Sequence, residues 1–458
     1  MKLKKFSYGG KRKSLFFITI ISIVLILSVI YLFQSFAYYE ENKSFDVING
    51  TVANPGDLYF AFYVDDVISK NMPSIDSGYL LNEEKSSCTN GATPKLDTES
   101  WQIKVLNMKS MHTKCTLYFE HYDLATSVIT NLVKDADKTS LDIYTVSDKT
   151  NKTCTYTFAY DGTNDNNLRY VGANPCNYVD IEGEKWRIIG LMNNIEDENG
   201  LKATHIKLIR NESIGAYSWD ISDISINDGY GVNEWSTSYI EKLLNPSTSN
   251  GLYWSGTSGS CPKQNGPNQE YAPCDFSNAN IKDALKKMIE KVTFYTGSNT
   301  LEHATNILTK EFYENERSTN TGKNCNVASI FCTDTTTRTT TWKGLVGLLN
   351  ISDYGYATGD NDRANCLQLT LNSWDSNQSC VLNNYLYKNK YTWSLDPINS
   401  QSNADLIFRI SSNGSVEEGY YNSISGNTFE IYPVVFLKTD VKVISGEGSL
   451  ENSYKLAL

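Results

Sequence analysis

Lys185-Trp-Arg-Ile-Ile-Gly-Leu-Met192 and His205-Ile-Lys-Leu-Ile-Arg210 are short apolar runs bounded by turn-forming residues, and both read as strands. Trp186 lies inside the first run and is assigned to a core. The same pattern recurs at Cys154–Tyr160, Gly344–Leu349, Ala404–Ser411 and Ile431–Leu437. Helical patterns interrupt these strands. Glu234–Leu244 ends at Asn245-Pro246. Ile281–Val292 carries a stripe of Ile281, Leu285, Met288, Ile289 and Val292, with Asn280 placed to cap it. Leu301–Tyr313 repeats the pattern through Ala304, Ile307, Leu308 and Phe312. Long loops at 245–279 and 314–341 each hold a pair of cysteines. The expectation for 151–458 is an α+β domain with loop-rich, disulfide-pinned excursions.

Towards the N-terminus, Leu58-Tyr-Phe-Ala-Phe-Tyr-Val64 alternates, putting Leu58, Phe60, Phe62 and Val64 on one face. Trp101–Leu106 and Cys115–Phe119 are further strands, separated by turns at Asn49-Gly50, Pro55-Gly56 and Asn90-Gly91. Residues 38–122 therefore read as a small β-sandwich-like domain. Leu124, Val128, Leu132 and Val133 then share one side of a helix, so 123–150 reads as a helical connector.

Residues 1–13 hold six bases and no acid, which leaves 35 bases against 52 acids in the remainder. This basic segment abuts Leu15–Phe33, an uncharged run whose nineteen residues match the roughly 30 Å of a bilayer core. The charge bias places the N-terminus in the cytoplasm and exports the chain beyond about residue 38. A membrane-spanning segment is thus expected at 14–37. A cleaved signal peptide is the rival reading, with Ser35-Phe36-Ala37 as its site, but the run exceeds the roughly 7–15 residues of an h-region. The exported remainder would be a membrane-proximal β domain followed by the larger domain. Its acidity disfavours nucleic acid as a partner.

Ten cysteines fall between positions 88 and 380, and no two are spaced Cys-x-x-Cys. An even number beyond an export signal reads as disulfides rather than zinc ligands. Clustering predicts bridges between sequence neighbours: Cys88–Cys115, Cys154–Cys176, Cys261–Cys274, Cys325–Cys332 and Cys366–Cys380, because short loops lose little entropy on closing.

Val179-Asp-Ile-Glu-Gly-Glu-Lys-Trp-Arg-Ile-Ile-Gly190, Ile206–Arg210, Tyr217-Ser-Trp-Asp220, Asn233-Glu-Trp235 and Tyr432–Leu437 through Gly446-Glu-Gly-Ser449 resemble an uncharacterised domain of membrane-anchored surface proteins of gut Bacillota. The resemblance covers about 151–458. It implies a distantly C-type lectin-like fold, a fold that also houses formylglycine-generating enzymes, and brings no established activity with it.

The sequence holds no motif that names a reaction. The four histidines lack metal-ligand spacing, and there is no P-loop, nucleophile elbow or dinucleotide fingerprint. Two acidic loops, Asp161–Asn167 and Gly359–Asp362, are candidates for Ca2+ through Asp161, Asp165, Asp360 and Asp362, although Asp and Asn also crowd ordinary turns. Trp219, Trp235, Trp254 and Trp393 lie among polar residues and are candidates for stacking on sugars. The expected function is a surface-displayed binding or adhesion module for an extracellular glycan or protein. A formylglycine-generating type of enzyme, with Cys325 and Cys332 as the redox pair, and a structural or sensory subunit of an envelope assembly are the alternatives.

Overall fold

The computed structural model describes residues 58–458, apart from 99, 109–111, 140–141, 147–152, 222–230, 247–250, 263–270, 298, 301–306, 320–335, 360–361, 400–404 and 418–427. The chain divides after Tyr122 into two compact units.

In the first unit, Leu58–Val64 pairs in parallel with Thr113–His121, with Phe62 opposite Leu117 and Val64 opposite Phe119. Tyr79–Leu81 and Ser87–Cys88 pair antiparallel with the same long strand, and Val67–Ser69 forms the opposite edge. Period-two alternation sends Phe62, Cys115, Leu117 and Phe119 into one core. Leu58, Phe60 and Val64 pack against it, as do Ile103 and Val105 from the ribbon Thr93–Asp97/Gln102–Leu106. A mixed sheet and a separate ribbon thus stand where a sandwich is expected. The Asp65-Asp66 turn has positive φ at both residues, the geometry of a tight hairpin.

In the second unit, Glu184–Glu196 and Lys202–Arg210 form an antiparallel hairpin at the centre of a twelve-stranded sheet. Val434–Leu437 pairs on one side of it, and Leu168–Tyr170 on the other. The sheet continues outward through Thr157–Tyr160 and Ile143–Thr145. Tyr178–Ile181 pairs with the hairpin and, in parallel, with the C-terminal strand Tyr454–Ala457. Both faces of the hairpin are covered, so Ile206, Leu208 and Ile209 are as buried as Trp186 and Ile188. A glycine is required where the hairpin meets Leu168–Tyr170. A Cβ on Gly190 would sit 2.1 Å from the carbonyl oxygen of Leu168.

The α+β, lectin-like expectation does not hold. Strand accounts for 39% of the structure and helix for 20%, and the helices of the second unit are short. The stripe read as Ile281–Val292 is helical only over Asp283–Met288, with Lys282 rather than Asn280 at its N-cap. Beyond it, Ile289–Glu290 joins Val434–Leu437 and Val292–Tyr295 joins Thr341–Gly344. Ile289, Val292, Thr293 and Phe294 are β-branched or aromatic and gain more on a buried pleat than on a helix. The segment Glu234–Leu244 breaks at Ser238 into a tight turn and the helix Tyr239–Leu244, which Ser238 caps. Of Leu301–Tyr313, residues 301–306 lie outside the described residues, and the helix that forms is Thr309–Glu316. The helix Ala125–Lys134 is no connector. Its Ala125, Ile129, Leu132 and Val133 belong to the core of the second unit, and residues 143–145 are a strand of its main sheet.

Among the described residues no helix is long and apolar enough to cross a membrane. The span expected at 14–37 lies outside them. Among the described residues four bridges are formed, Cys88–Cys115, Cys154–Cys176, Cys261–Cys274 and Cys366–Cys380, with Cα atoms 4.0 to 5.6 Å apart. Cys325 and Cys332 fall outside the described residues.

Gly190→Ala should lower the urea midpoint of the second unit, at a cost of about 1–3 kcal/mol for forcing a methyl group into packed backbone. Tryptophan fluorescence reports on this unit, since seven of the eight Trp lie in it. An unchanged midpoint at unchanged slope would contradict the close approach of Gly190 to Leu168.

Candidate functional site

Asp161 follows directly on the strand Thr157–Tyr160 and turns its carboxylate back into its own loop. Oδ1 accepts from the backbone N–H groups of Thr163 (3.1 Å) and Asn167 (3.0 Å) and from the Thr163 hydroxyl (2.8 Å). Oδ2 accepts from Asn167 Nδ2 (2.8 Å) and Arg169 Nε (3.1 Å). Both oxygens are therefore committed to protein donors, as in an Asx-type turn. Asp165 is similarly engaged by Asn194 Nδ2 (3.0 Å), the Tyr313 hydroxyl and Arg317. Asp362 is exposed at the start of the helix Arg363–Cys366, and Asp360 lies outside the described residues. Among the described residues no three His, Cys, Asp or Glu side chains converge as metal ligands. The loop expected to hold Ca2+ through Asp161 and Asp165 is instead a hydrogen-bonded turn tied to an arginine.

That arginine leads into the most heavily charged part of the core. Arg169 projects from Leu168–Tyr170 and bridges Asp161 to Asp353, on the helix Ile351–Tyr356. The other oxygen of Asp353 lies 2.5 Å from Lys207 Nζ. Lys207 comes from the central strand and also donates to Asn350 Oδ1 at 3.2 Å. Asn350 Nδ2 donates to the Tyr295 carbonyl at 3.3 Å, and its backbone N–H to Asp353 at 3.3 Å. Phe436 flanks the ammonium, 5.4 Å away.

A second pair of acids lies at the start of the same helix. Glu316, fully buried, accepts from the Ser352 N–H (2.9 Å) and hydroxyl (2.6 Å). Asp396, on Thr392–Asn399, accepts from the Ile351 N–H at 2.8 Å.

The environments push these groups apart. Burial favours the neutral form of Asp353, but Lys207 and Arg169 outweigh it and hold its carboxyl at about 2. Asp161 is likewise held low, as Arg169 and its own turn overcome burial. Burial pushes Lys207 down, and Asp353 only partly restores it. Burial pushes Glu316 and Asp396 up. The charge of Glu316 raises Asp396 further, so the pair favours a protonated carboxyl.

The expected sugar platforms are interior residues. Trp219, Trp235 and Trp393 are at most 2% exposed. Their rings meet tilted or edge to face in the core, with Trp219 5.4 Å from Trp235 and 5.9 Å from Trp393, and Trp342 edge-on to Trp235. Trp393 Nε1 donates to the Tyr217 carbonyl at 2.9 Å. Trp254 is half-buried, packed on the core with Lys286 6.0 Å from its ring. The polar neighbours that suggested exposure supply caps and turns around these rings instead. Sequence reading passed over Arg169, Lys207, Glu316, Asp353 and Asp396. One signal was present for Lys207: a charge inside the apolar run Ile206-Lys-Leu-Ile209 must find a partner if both faces are covered.

No family model matches the chain, and no curated protein or solved structure matches it either.

The shifts set the pH dependence of stability. Asp353 and Asp161 are depressed on folding, so their contribution is present above the ordinary Asp value, about 3.9, and is lost as pH falls through the folded values. Glu316 and Asp396 are raised, so theirs is complete below about 4 and is lost as pH rises through the folded values. Asp396→Asn keeps an oxygen able to accept from the Ile351 N–H and removes one of the two raised carboxyls. Thermal melts from about pH 4 to about pH 9 should show the wild type losing more stability on the alkaline side than this variant. Parallel profiles would refute the raised Asp396 carboxyl as the source of the alkaline loss.

Proposed function

We propose that this chain is an exported binding module, tethered to the membrane near its N-terminus and displayed on the cell surface, that engages an extracellular protein or glycan. The observation that carries the reading is the set of four bridges, present in both units and each closing a loop of its own. Disulfides of this kind persist in oxidising compartments. The sequence supports the same compartment. Six bases precede an uncharged apolar run, and the chain beyond is acidic, the asymmetry that retains the short basic side in the cytoplasm. The resemblance of 151–458 to membrane-anchored surface proteins points the same way.

Binding rather than chemistry is favoured by how the reactive groups are used. The carboxylates of Asp161 and Asp353 and the guanidinium of Arg169 are paired in the interior, out of reach of an external substrate. Any ligand is then recognised by the outer surface and the loops.

Intact cells making the full chain should lose both units to added protease, and a purified fragment of residues 38–458 should bind a subset of an array of extracellular proteins and glycans. Protection from external protease would rule out surface display. Exposure to protease with no binding across the array would rule out the binding role while leaving display in place.

A further inference from the structure

The surroundings of Lys207 contain the parts of a covalent reaction. An amine, a carboxamide and a carboxylate meet in the interior, drawn from segments far apart in the chain. Lys207 Nζ lies 3.2 Å from Asn350 Oδ1 and 2.5 Å from Asp353 Oδ2. Lys207, Asn350 and Asp353 are respectively 5, 7 and 3% exposed. A hydrogen-bonded lysine and asparagine are ordinary on a surface. Here water is excluded, and the carboxylate that touches the amine also accepts from the backbone N–H of the asparagine.

We propose that Lys207 and Asn350 become joined by an intramolecular amide bond between Nζ and Cγ, formed by the folded protein itself with loss of ammonia. Nζ must first be unprotonated, which burial favours. Asp353 takes the proton, and the free electron pair of Nζ attacks Cγ of Asn350. The new C–N bond forms as the old Cγ–Nδ2 bond breaks; Asp353 returns the proton to the departing nitrogen, which leaves as ammonia, and takes the second proton that Nζ sheds as it becomes an amide nitrogen. One amine and one primary amide give one secondary amide and one ammonia. No oxidant, reductant or cofactor enters the balance.

The neighbours suit each role. The Tyr295 carbonyl accepts from Asn350 Nδ2 and orients the amide. Arg169 is paired with the other oxygen of Asp353 and fixes the carboxyl in place during the transfer. Phe436, Phe294 and Trp342 form an apolar wall, with Phe436 ringed at 5.3 Å by Phe294. Holding the reacting groups in contact supplies the effective concentration that free amine and amide lack.

The bond would join the central strand to the start of the helix Ile351–Tyr356, closing a loop that none of the four disulfides closes. It would survive reducing agents.

The test is the mass of the purified full chain, reduced and denatured. The expected value is the sequence mass less one ammonia. A digest should give a branched peptide linking Lys207 to Asn350, with trypsin failing to cut after Lys207. Lys207→Arg and Asn350→Ala should each recover the full sequence mass. Asp353→Asn should accumulate the unjoined form, and in a denatured sample this reading does not depend on how well the variant folds. A wild-type chain at full mass, with Lys207 cleaved by trypsin, would overturn the proposal. Loss of one water, with Lys207 joined to Asp353, would overturn it equally, because the carboxylate would then be the reactant and not the proton carrier.

Discussion

Arg169 cannot reach water, and the second unit is arranged around that fact. A guanidinium in the interior costs several kcal/mol unless anions are already in place. Its two anions come from different elements, Asp161 from the turn within its own hairpin and Asp353 from the helix Ile351–Tyr356. Lys207 completes the set, so two acids and two bases share one dry volume with no net charge. Half of the set would be worse than none, so turn, strand and helix must come together as one cooperative event.

The disulfides do a different job. Cys261–Cys274 ties the two strands of one small ribbon, and Cys366–Cys380 joins two neighbouring short helices. Each reaches only a short way along the chain. The charge cluster instead connects residues 161, 169, 207 and 353, positions that none of the four bridges brings together. Excursions are held by covalent bonds and the frame by buried ions and apolar packing.

How much of this the sequence displays depends on the residue. Leu58–Val64 alternates, with Phe62 buried and Leu58, Phe60 and Val64 partly buried beside it, and such a pattern reads as a strand. The strands around Trp186 and Ile206 are legible because an apolar run of that length between turns fits little else. The stripe at 281–292 misleads because buried residues three and four apart satisfy a helix, while a helix followed by a strand satisfies the same positions. Trp219 and Trp393 mislead differently: their sequence neighbours are polar, but burial is decided by each other and by rings that arrive from 235 and 429. Asp161 is ambiguous in principle, since a turn and a calcium loop use the same residue types, and only the donors around its oxygens separate the two. The charged cluster is least legible, as its members are scattered and most of them look like ordinary surface charges.

The strand Val434–Leu437 lies against the central hairpin, and Tyr454–Ala457, at the end of the chain, pairs with Tyr178–Ile181. A protein threaded outward N-terminus first delivers these strands last. Until they emerge, Lys202–Arg210 has one edge without a partner, in a segment whose apolar side chains are a template for wrong pairing. The first unit has no such wait, because all its strands lie before residue 122. Synthesis therefore imposes an order on this molecule: a small unit that can close early, and a large one that stays open until Val434–Leu437 and Tyr454–Ala457 have been made.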